Sequence, residues 1–211
     1  HPTVSGSYSY SAVVGDGNLD KVALQIRRYA ELGFKDFKIK ISGDIKHDSE
    51  KFRLIKDLVP MARLRLDGNN IWKNVDQGIA YIETIEIDLF AIEEPLQVMD
   101  FSGMEELARS FDFRIILDES ATNVKHIDGL KTRRDVYIIN IRISKMGGLL
   151  RCLHLAEVAI ESGIPLIIGA HVGETSVLTR AGITVSSACS QHVTAMEGAF
   201  GTYLLESDIV N

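Results

Sequence analysis

Hydrophobic and polar positions along this chain follow two periods in regular alternation. Short apolar runs of three to eight residues alternate with longer stretches in which apolar residues recur at helical spacing. Strands are predicted at Tyr8–Val14, Phe37–Ile41, Leu64–Leu66, Leu89–Ile92, Ile115–Leu117, Val136–Ile143, Leu166–Ile168 and Val193–Met196. Helices are predicted at Asn18–Leu32, Asp48–Val59, Val75–Ile85, Gly103–Ser110, Lys125–Lys131, Leu149–Ser162 and Thr175–Cys189. Eight strands alternating with helices favour a (β/α) barrel over a doubly wound sheet.

Three acidic residues follow apolar runs at nearly equal intervals. Asp67, Glu93 and Asp118 are separated by 26 and 25 residues, about one strand plus one helix of a parallel α/β protein. Equal spacing predicts that all three carboxylates lie at the carboxyl ends of successive strands. Carboxylates brought together repel each other unless a cation lies between them, and hard oxygen ligands suit Mg²⁺. The pattern predicts a metal site.

Two lysines accompany the acids. Lys38 and Lys40 lie two residues apart in the second predicted strand, so their side chains point to the same face. Two desolvated ammonium groups on an inner face lower a lysine pKa and provide a usable base near neutral pH. By itself the Lys-x-Lys pattern is more typical of an exposed edge strand. Its register with the three acids favours the inner face.

Composition excludes several other classes of protein. A net charge of −6 and a pI near 5.5 argue against nucleic acid or an anionic membrane surface as the main partner. Two cysteines in apolar helical patterns indicate reduced structural thiols and a cytoplasmic protein. Neither a transmembrane run nor a signal-peptide pattern is found. Because His1-Pro2 is not a natural start, we expect the chain to be part of a longer polypeptide.

Five motifs together resemble those of the enolase superfamily. The sequence is most similar to the mandelate racemase/muconate lactonizing enzyme family, and within it to the muconate-lactonizing-like subgroup. The resemblance runs from about Tyr8 to Ile209. The motifs are Lys38-Ile-Lys40, Asp67-Gly-Asn69, Ile92-Glu93-Glu94-Pro95-Leu96, Leu117-Asp118-Glu119-Ser120 and Lys145-Met-Gly147-Gly148.

The resemblance implies a fold, a domain arrangement and a cofactor. The fold would be a TIM-type (β/α)7β barrel like the C-terminal domain of enolase, forming a single domain over residues 1–211. Residues 1–7 would be the linker from an N-terminal capping domain that is not in this sequence. Asp67, Glu93 and Asp118 would bind Mg²⁺, with Mn²⁺ as a substitute, and the metal would stabilise the enolate formed when an α-proton leaves.

The resemblance also assigns roles to side chains around the metal. Lys40 would be the acid/base, and Lys38 would lower the pKa of Lys40 and contact the substrate carboxylate. Glu94 would support the neighbouring ligand. Asn69 would either support the metal site and the substrate or cap a loop.

One position departs from the family pattern. Members that use two bases carry a second lysine 24 residues after the third acid, where this chain has Arg142. Arginine stays protonated, so it cannot remove a proton, although it can stabilise an anionic intermediate. Racemisation and epimerisation ordinarily require a base on each face of the stereocentre. Arg142 therefore favours one-base chemistry, either cycloisomerisation or the elimination of water.

Three further residues are candidates for the substrate site. Lys145 has the opposite strand parity from Arg142, but a bulge could turn it inward as a second base. His171 follows the seventh strand and is a candidate substrate-binding residue or acid. Glu197 follows the eighth strand, where relatives carry an acidic substrate-site residue.

We expect a Mg²⁺-dependent isomerase or carbon–oxygen lyase acting on a small carboxylate, muconate cycloisomerase-like or an acid dehydratase. The alternatives are a racemase or epimerase with Lys145 or His171 as second base, and an impaired barrel kept as a binding module. The capping domain and a homo-oligomer are the expected protein partners, with neither nucleic acid nor membrane. Without the cap, the site would stay open to water and turn over poorly.

Overall fold

The computed structural model describes residues 7–198 and 206–208. Their contacts divide the chain into two compact units, which are described in turn. The first unit is Ser11–Ser120, and the second is Ala121–Asn211 together with His1–Tyr10. Most of the predicted linker, residues 1–6, lies outside the described part of the chain.

The first unit alternates strands and helices, as predicted. Its five strands pair in parallel in chain order, and each pair is joined through one helix. The strands are β1 (Ala12–Val14), β2 (Asp36–Lys40), β3 (Arg63–Asp67), β4 (Ala91–Glu93) and β5 (Arg114–Leu117). The helices are α1 (Leu19–Glu31), α2 (Ile45–Leu58), α3 (Val75–Ile85) and α4 (Phe101–Phe111).

The helices of this unit begin where polar side chains cap them. The side chain of Asn18 accepts hydrogen bonds from the second and third residues of α1, and Asp44 does the same for α2. These bonds satisfy backbone donors that have no partner within the helix. Helix α2 was predicted to begin at Asp48, which is wrong, because Asp44 starts it one turn earlier.

Strand register brings the predicted site residues of this unit into line. Lys40 pairs with Asp67 across β2 and β3, and Asp67 pairs with Glu93 across β3 and β4. Glu93 pairs with Ile116, so Asp118 lies two residues farther along and on the same face. Lys38 lies one row below Lys40. The equal sequence spacing of the acids therefore becomes a continuous row of side chains on one face.

The second unit continues the same alternation. Its three strands also pair in parallel in chain order, with one irregularity between Leu166 and Ile167. The strands are β6 (Tyr137–Arg142), β7 (Leu166–Gly169) and β8 (Val193–Met196), and the helices are α5 (Val124–Asp128), α6 (Leu149–Glu161) and α7 (Ser176–Ala188). Short 3₁₀ turns cover Lys131–Arg133 and Ser190–His192.

Strand ends differ from the prediction at two places that matter for the site. Strand β6 ends at Arg142 and not at Ile143, so Lys145 lies in the following turn and is not part of the strand. The first strand is three residues long and begins at Ala12, four residues later than predicted. Among the described residues, no helix is long and apolar enough to cross a membrane.

Candidate active site at the ends of the strands

The predicted metal ligands are buried at the ends of three adjacent strands. Asp67 and Glu93 are the last residues of β3 and β4, and Asp118 directly follows β5. Their exposed fractions are 3%, 2% and 1%. Carboxylates are almost never this deeply buried without a cationic partner.

Lys38 supplies positive charge to two of these acids. Its ammonium nitrogen lies 3.2 Å from Asp67 Oδ2 and 2.8 Å from Glu93 Oε2, and its side chain is 6% exposed. Burial raises the pKa of Asp67, and the ammonium of Lys38 opposes this effect. Lys38 is thus an electrostatic partner of the acids, which fits its predicted place on the inner face.

Lys40 lies in the register row of Asp67 and Glu93, and its side chain is far more accessible than that of Lys38. Its side chain is 38% exposed, and its nitrogen lies 4.0 Å from Asp67 Oδ2. The same nitrogen donates a hydrogen bond of 3.3 Å to Asn69 Oδ1. Asn69, which has a left-handed backbone with φ 44°, therefore contacts the lysine. Lys40 combines a fixed position with access for a reactant, as an acid/base requires.

Gly68 allows the loop that carries Asn69 to approach β4 closely. The backbone N–H of Gly68 donates to the carbonyl of Glu93 at 2.8 Å. A Cβ atom at Gly68 would lie 2.9 Å from the Cα of Pro95, which is closer than ordinary contacts permit. The Asp67-Gly-Asn69 motif thus has a steric reason for its glycine.

Glu94 ties the second ligand strand to the third. Its buried carboxylate accepts hydrogen bonds from the backbone N–H of Asp118 at 2.7 Å and of Ser120 at 2.8 Å, and from the Ser120 hydroxyl at 2.8 Å. Burial raises the pKa of Glu94 to about 7, against the lowering effect of the Ser120 hydrogen bonds. The backbone of Glu94 is left-handed, with φ 39°. Glu94 thus orients the segment that carries Asp118, and Ser120 is a site residue that sequence reasoning did not single out.

The donor set fits a hard divalent cation. Three carboxylates are gathered on one face, and the buried Oδ1 of Asp67 has no hydrogen-bond partner among the residues that the structure describes. A second group of possible metal ligands lies in the same unit. In the described part of the chain, Asp16, His47 and Asp48 alone bring three ligand atoms within 4.8 Å of one another. The ammonium of Lys51 lies next to two members of that group, at 2.7 Å from Asp48 Oδ1 and 3.4 Å from Asp16 Oδ1.

The second unit carries Arg142, the residue that departs from the pattern expected of the family. Arg142, at the end of β6, is half-buried, and its guanidinium donates a hydrogen bond of 3.2 Å to His171 Nδ1. Gly169 pairs with Arg142 in the ladder, and a Cβ atom there would lie 2.9 Å from Arg142 Cγ and 2.2 Å from Asn140 Oδ1. Glycine at this position makes room for the side chains of Asn140 and Arg142. The sequence did not reveal this relation, because it depends on strand register.

Other predicted residues of this unit have distinct surroundings. The nitrogen of Lys145 is buried, although the residue lies in the turn beyond β6. Glu197 is 6% exposed and directly follows β8, and its backbone N–H donates to the carbonyl of Ile168. Glu174 accepts a hydrogen bond of 2.8 Å from the Ser144 hydroxyl. The functional roles of Lys145, His171 and Glu197 stay predictions.

Comparison with known proteins identifies the family. The sequence model of the enolase C-terminal domain-like family matches residues 21–211. The hydrophobic dipeptide epimerase of Enterococcus faecalis (strain ATCC 700802 / V583) is 29% identical over 160 residues, which are 74% of this chain and 44% of that protein. The L-Ala-D/L-Glu epimerase of Bacillus subtilis (strain 168) is 25% identical over 199 residues, 91% of this chain and 53% of that protein. The chain thus spans about half the length of these relatives.

A solved structure confirms the predicted fold class. The crystal structure of the dipeptide epimerase from Enterococcus faecalis V583, complexed with Mg and the dipeptide L-Leu-L-Tyr, matches with a TM-score of 0.84 and 24% identity. The match covers 97% of this chain and 57% of that one. The fold is the α/β barrel of that enzyme class, as the alternating pattern predicted. The chain belongs to the enolase C-terminal domain-like family.

Proposed function

We propose that this chain forms the barrel of a Mg²⁺-dependent isomerase that removes the α-proton of a small carboxylate substrate. The observation that carries the proposal is the register row of Lys40, Asp67 and Glu93, with Asp118 on the same face. A scaffold protein has no need to bury three carboxylates beside two lysines, because their desolvation opposes folding.

Asp67, Glu93 and Asp118 would hold the Mg²⁺, for which Mn²⁺ can substitute. When bound, the ion supplies positive charge that favours the negative charge developing on the substrate carboxylate. Lys38 would add a second positive charge beside the metal ligands. Lys40 would remove or deliver the α-proton on one face of the substrate, since it is the accessible amine of the row.

The reaction type that we favour is epimerisation or racemisation. The relatives named above are dipeptide epimerases, and this chemistry replaces the proton on the other face of the α-carbon. Arg142 cannot remove a proton, so another residue must act on that face. His171 is less suitable, because its Nδ1 accepts from Arg142 and its ring proton therefore lies on Nε2. We propose Lys145 as the second acid/base.

A second candidate is one-base chemistry, either cycloisomerisation or the elimination of water. Arg142 favours it, because a fixed cation at this position suits a substrate whose intermediate needs only charge stabilisation. In that case Lys145 would have no part in proton transfer. A carbon–oxygen lyase would then be the correct class.

The proposed function also includes a substrate, a capping domain and a second copy of the chain. A small carboxylate would be the substrate, a capping domain would close the site to water, and the protein would assemble as a homo-oligomer. The barrel alone would bind Mg²⁺ and turn over slowly. Adding a separately made capping domain should raise turnover, and an unchanged rate where the joined protein is active would contradict this point.

Isotope exchange tests the main proposal. The barrel joined to a capping domain is incubated in D₂O with Mg²⁺ and a panel of dipeptides, muconates, acid sugars and hydroxyproline-like acids, and loss of the α-proton signal is followed by ¹H NMR. We expect Mg²⁺-dependent exchange with one substrate class, and Lys40→Ala should abolish it for the epimer whose α-proton Lys40 removes. Undiminished exchange of both epimers in Lys40→Ala would contradict the role of Lys40. Mg²⁺ binding without exchange in any class would favour a binding module.

The stereochemical outcome separates the two reaction types. An epimerase gives deuterium in both epimers, and we expect Lys145→Ala to abolish inversion while exchange from one epimer continues. One-base chemistry gives a new product, or exchange without inversion, and is insensitive to Lys145→Ala.

A further inference from the structure

A buried ion pair lies directly behind the proposed acid/base. Lys51 and Asp48 face each other on α2, with Lys51 Nζ 2.7 Å from Asp48 Oδ1, and both side chains are 0% exposed. Burying an ammonium and a carboxylate costs several kcal/mol per ion, and apolar residues of similar size would often serve stability as well. The pair therefore calls for an explanation beyond stability.

Asp48 holds the loop that follows β2. Its carboxylate accepts hydrogen bonds from the backbone N–H groups of Ser42 and Gly43, at 3.0 to 3.1 Å, and from the Ser42 hydroxyl at 3.1 Å. The hydroxyl of Tyr81, on α3, donates to it at 2.7 Å. Burial raises the pKa of Asp48, but the bonds from Lys51, Tyr81 and Ser42 outweigh this effect and leave the pKa below its ordinary value. The carboxylate is thus a charged anchor with many donors.

Lys51 connects that anchor to the active-site strand. Its ammonium donates a hydrogen bond of 2.7 Å to the backbone carbonyl of Lys40, the last residue of β2. A third contact runs to Asp16 Oδ1 at 3.4 Å, in the loop after β1. The peptide unit of the acid/base is therefore held by a charge-assisted hydrogen bond, the stronger kind of hydrogen bond in proteins.

We propose that Lys51, charged and oriented by Asp48, is a positioning residue for Lys40. By fixing the Lys40 carbonyl it keeps the Lys40 amine near Asn69 and Asp67, where a substrate can reach it. The identity of Lys40 as acid/base rests on the proposed function, whereas the fixing of its backbone does not. A displacement of about 1 Å at a reacting group is enough to slow a reaction by about two orders of magnitude.

The cluster is better explained by positioning than by metal binding. Asp16, His47 and Asp48 bring ligand atoms within 4.8 Å of one another. The Lys51 ammonium already lies against Asp48 and Asp16, where a divalent cation would have to bind. The cation of this cluster is therefore the lysine itself.

The test compares two variants that each lose one bond to Asp48. Only one of them also loses the bond to the Lys40 carbonyl. Lys51→Met removes the donor to the Lys40 carbonyl, and Tyr81→Phe is the matched control, because Tyr81 contacts Asp48 from the other side. Lys51→Met leaves the Asp48 carboxylate buried without its cation, which can prevent folding. The double variant Asp48→Asn/Lys51→Met removes both charges and is used if the single variant does not fold.

The first readout is independent of catalysis. Trace acetylation with acetic anhydride, followed by peptide mass spectrometry, gives the reactivity of Lys40 relative to the exposed Lys56 of the same chain. We expect removal of Lys51 to raise the relative rate at Lys40 by about threefold or more, since the strand end opens locally. Tyr81→Phe should stay within about twofold of the wild-type rate.

The second readout is α-proton exchange with the substrate class found for the wild type. We expect kcat to fall by about ten- to a hundredfold without Lys51, with KM changed by less than about threefold. Equal Lys40 acetylation in all variants, or equal losses of kcat in the Lys51 and Tyr81 variants, would overturn the positioning role. Altered acetylation with no exchange in any protein, wild type included, would support positioning and contradict the proposed function.

Discussion

The two units of this chain treat their charged residues differently. In the first unit, the acids at the strand ends are buried beside a buried cation, since Lys38 lies between Asp67 and Glu93. In the second unit, Arg142 is half-buried and His171 is exposed, and the two contact each other. The first arrangement suits a fixed site for a cation and a base. The second leaves side chains accessible to a substrate.

We interpret this difference as a division between residues for proton transfer, which need fixed positions, and residues that select the substrate. The row on β2 to β4 needs fixed positions, because a proton is transferred only between atoms in hydrogen-bond reach. Residues that select a substrate or a reaction can change while that row stays the same. We propose that Arg142 is such a residue.

The largest effect should follow from breaking a buried charge pair in the first unit. Asp48→Asn leaves the Lys51 ammonium buried without its carboxylate, and we expect the free energy of unfolding to fall by about 3–5 kcal/mol. Glu174→Gln, the counterpart in the second unit, keeps an acceptor for the Ser144 hydroxyl and loses only a half-buried charge, so it should cost about 1 kcal/mol or less. Urea unfolding measures both. Equal losses would contradict the contrast between the units.

A pH-dependent effect of up to about 3 kcal/mol is expected at Glu94, since each unit of pKa shift corresponds to about 1.4 kcal/mol. Its pKa is about 7 in the folded chain against an ordinary value of 4.5, so the folded state binds this proton more tightly than the unfolded state. The stability from protonation is fully present below pH 4.5 and is lost as pH rises to 7.

Glu94→Gln removes the carboxylate charge but keeps an oxygen that accepts from the backbone N–H groups of Asp118 and Ser120. In a chelating buffer, we expect the variant to gain stability over wild type as pH rises from 4.5 to 7, measured by thermal unfolding. Stability that differs by a constant amount over this range would show that Glu94 titrates normally.

A smaller effect is expected from crowding in the second unit. Gly169→Ala places a Cβ atom against Asn140 and Arg142, and we expect a loss of about 1–3 kcal/mol. Gly182→Ala is the control, because Gly182 lies within α7 and its added Cβ atom would meet Ile168 of β7 at 3.5 Å, an ordinary contact distance. It should stabilise the helix by about 0.5–1 kcal/mol. A neutral Gly169→Ala would mean that Arg142 does not depend on this glycine for space.

The smallest effect concerns the two thiols of the second unit. Cys152 and Cys189 are buried and unbridged, and burial raises the pKa of each thiol to about 11. We expect neither to react with a thiol reagent near neutral pH until the chain unfolds, because the thiolate is the reactive form. Fast labelling of the native chain, followed by absorbance, would show that this unit opens locally.

Much of the fold was predictable from the sequence, because periodicity and even spacing report it directly. Helix α3 and strand β8 have the predicted bounds, and the other elements differ mainly at their ends. The row of Lys40, Asp67 and Glu93 was also predictable, since equal intervals in a parallel α/β chain place residues at equal height.

The residues that contact the site from outside the row could not be predicted from the sequence, and the reason is physical. Asp48 and Lys51 look like an exposed ion pair three residues apart on a polar helix, and only packing shows that both are buried. The contact of Arg142 with His171 joins residues 29 positions apart, and it depends on strand register. Burial and register are tertiary properties that a local pattern does not carry.

Titration with a divalent cation tests the central claim most directly. Mn²⁺ binding is followed by electron paramagnetic resonance, with Mg²⁺ as competitor, for the wild type, Asp67→Asn and Asp16→Asn. We predict one ion per chain, lost in Asp67→Asn and retained in Asp16→Asn. Binding that survives in Asp67→Asn and disappears in Asp16→Asn would place the cation in the other acidic group, and the account of the active site would be wrong.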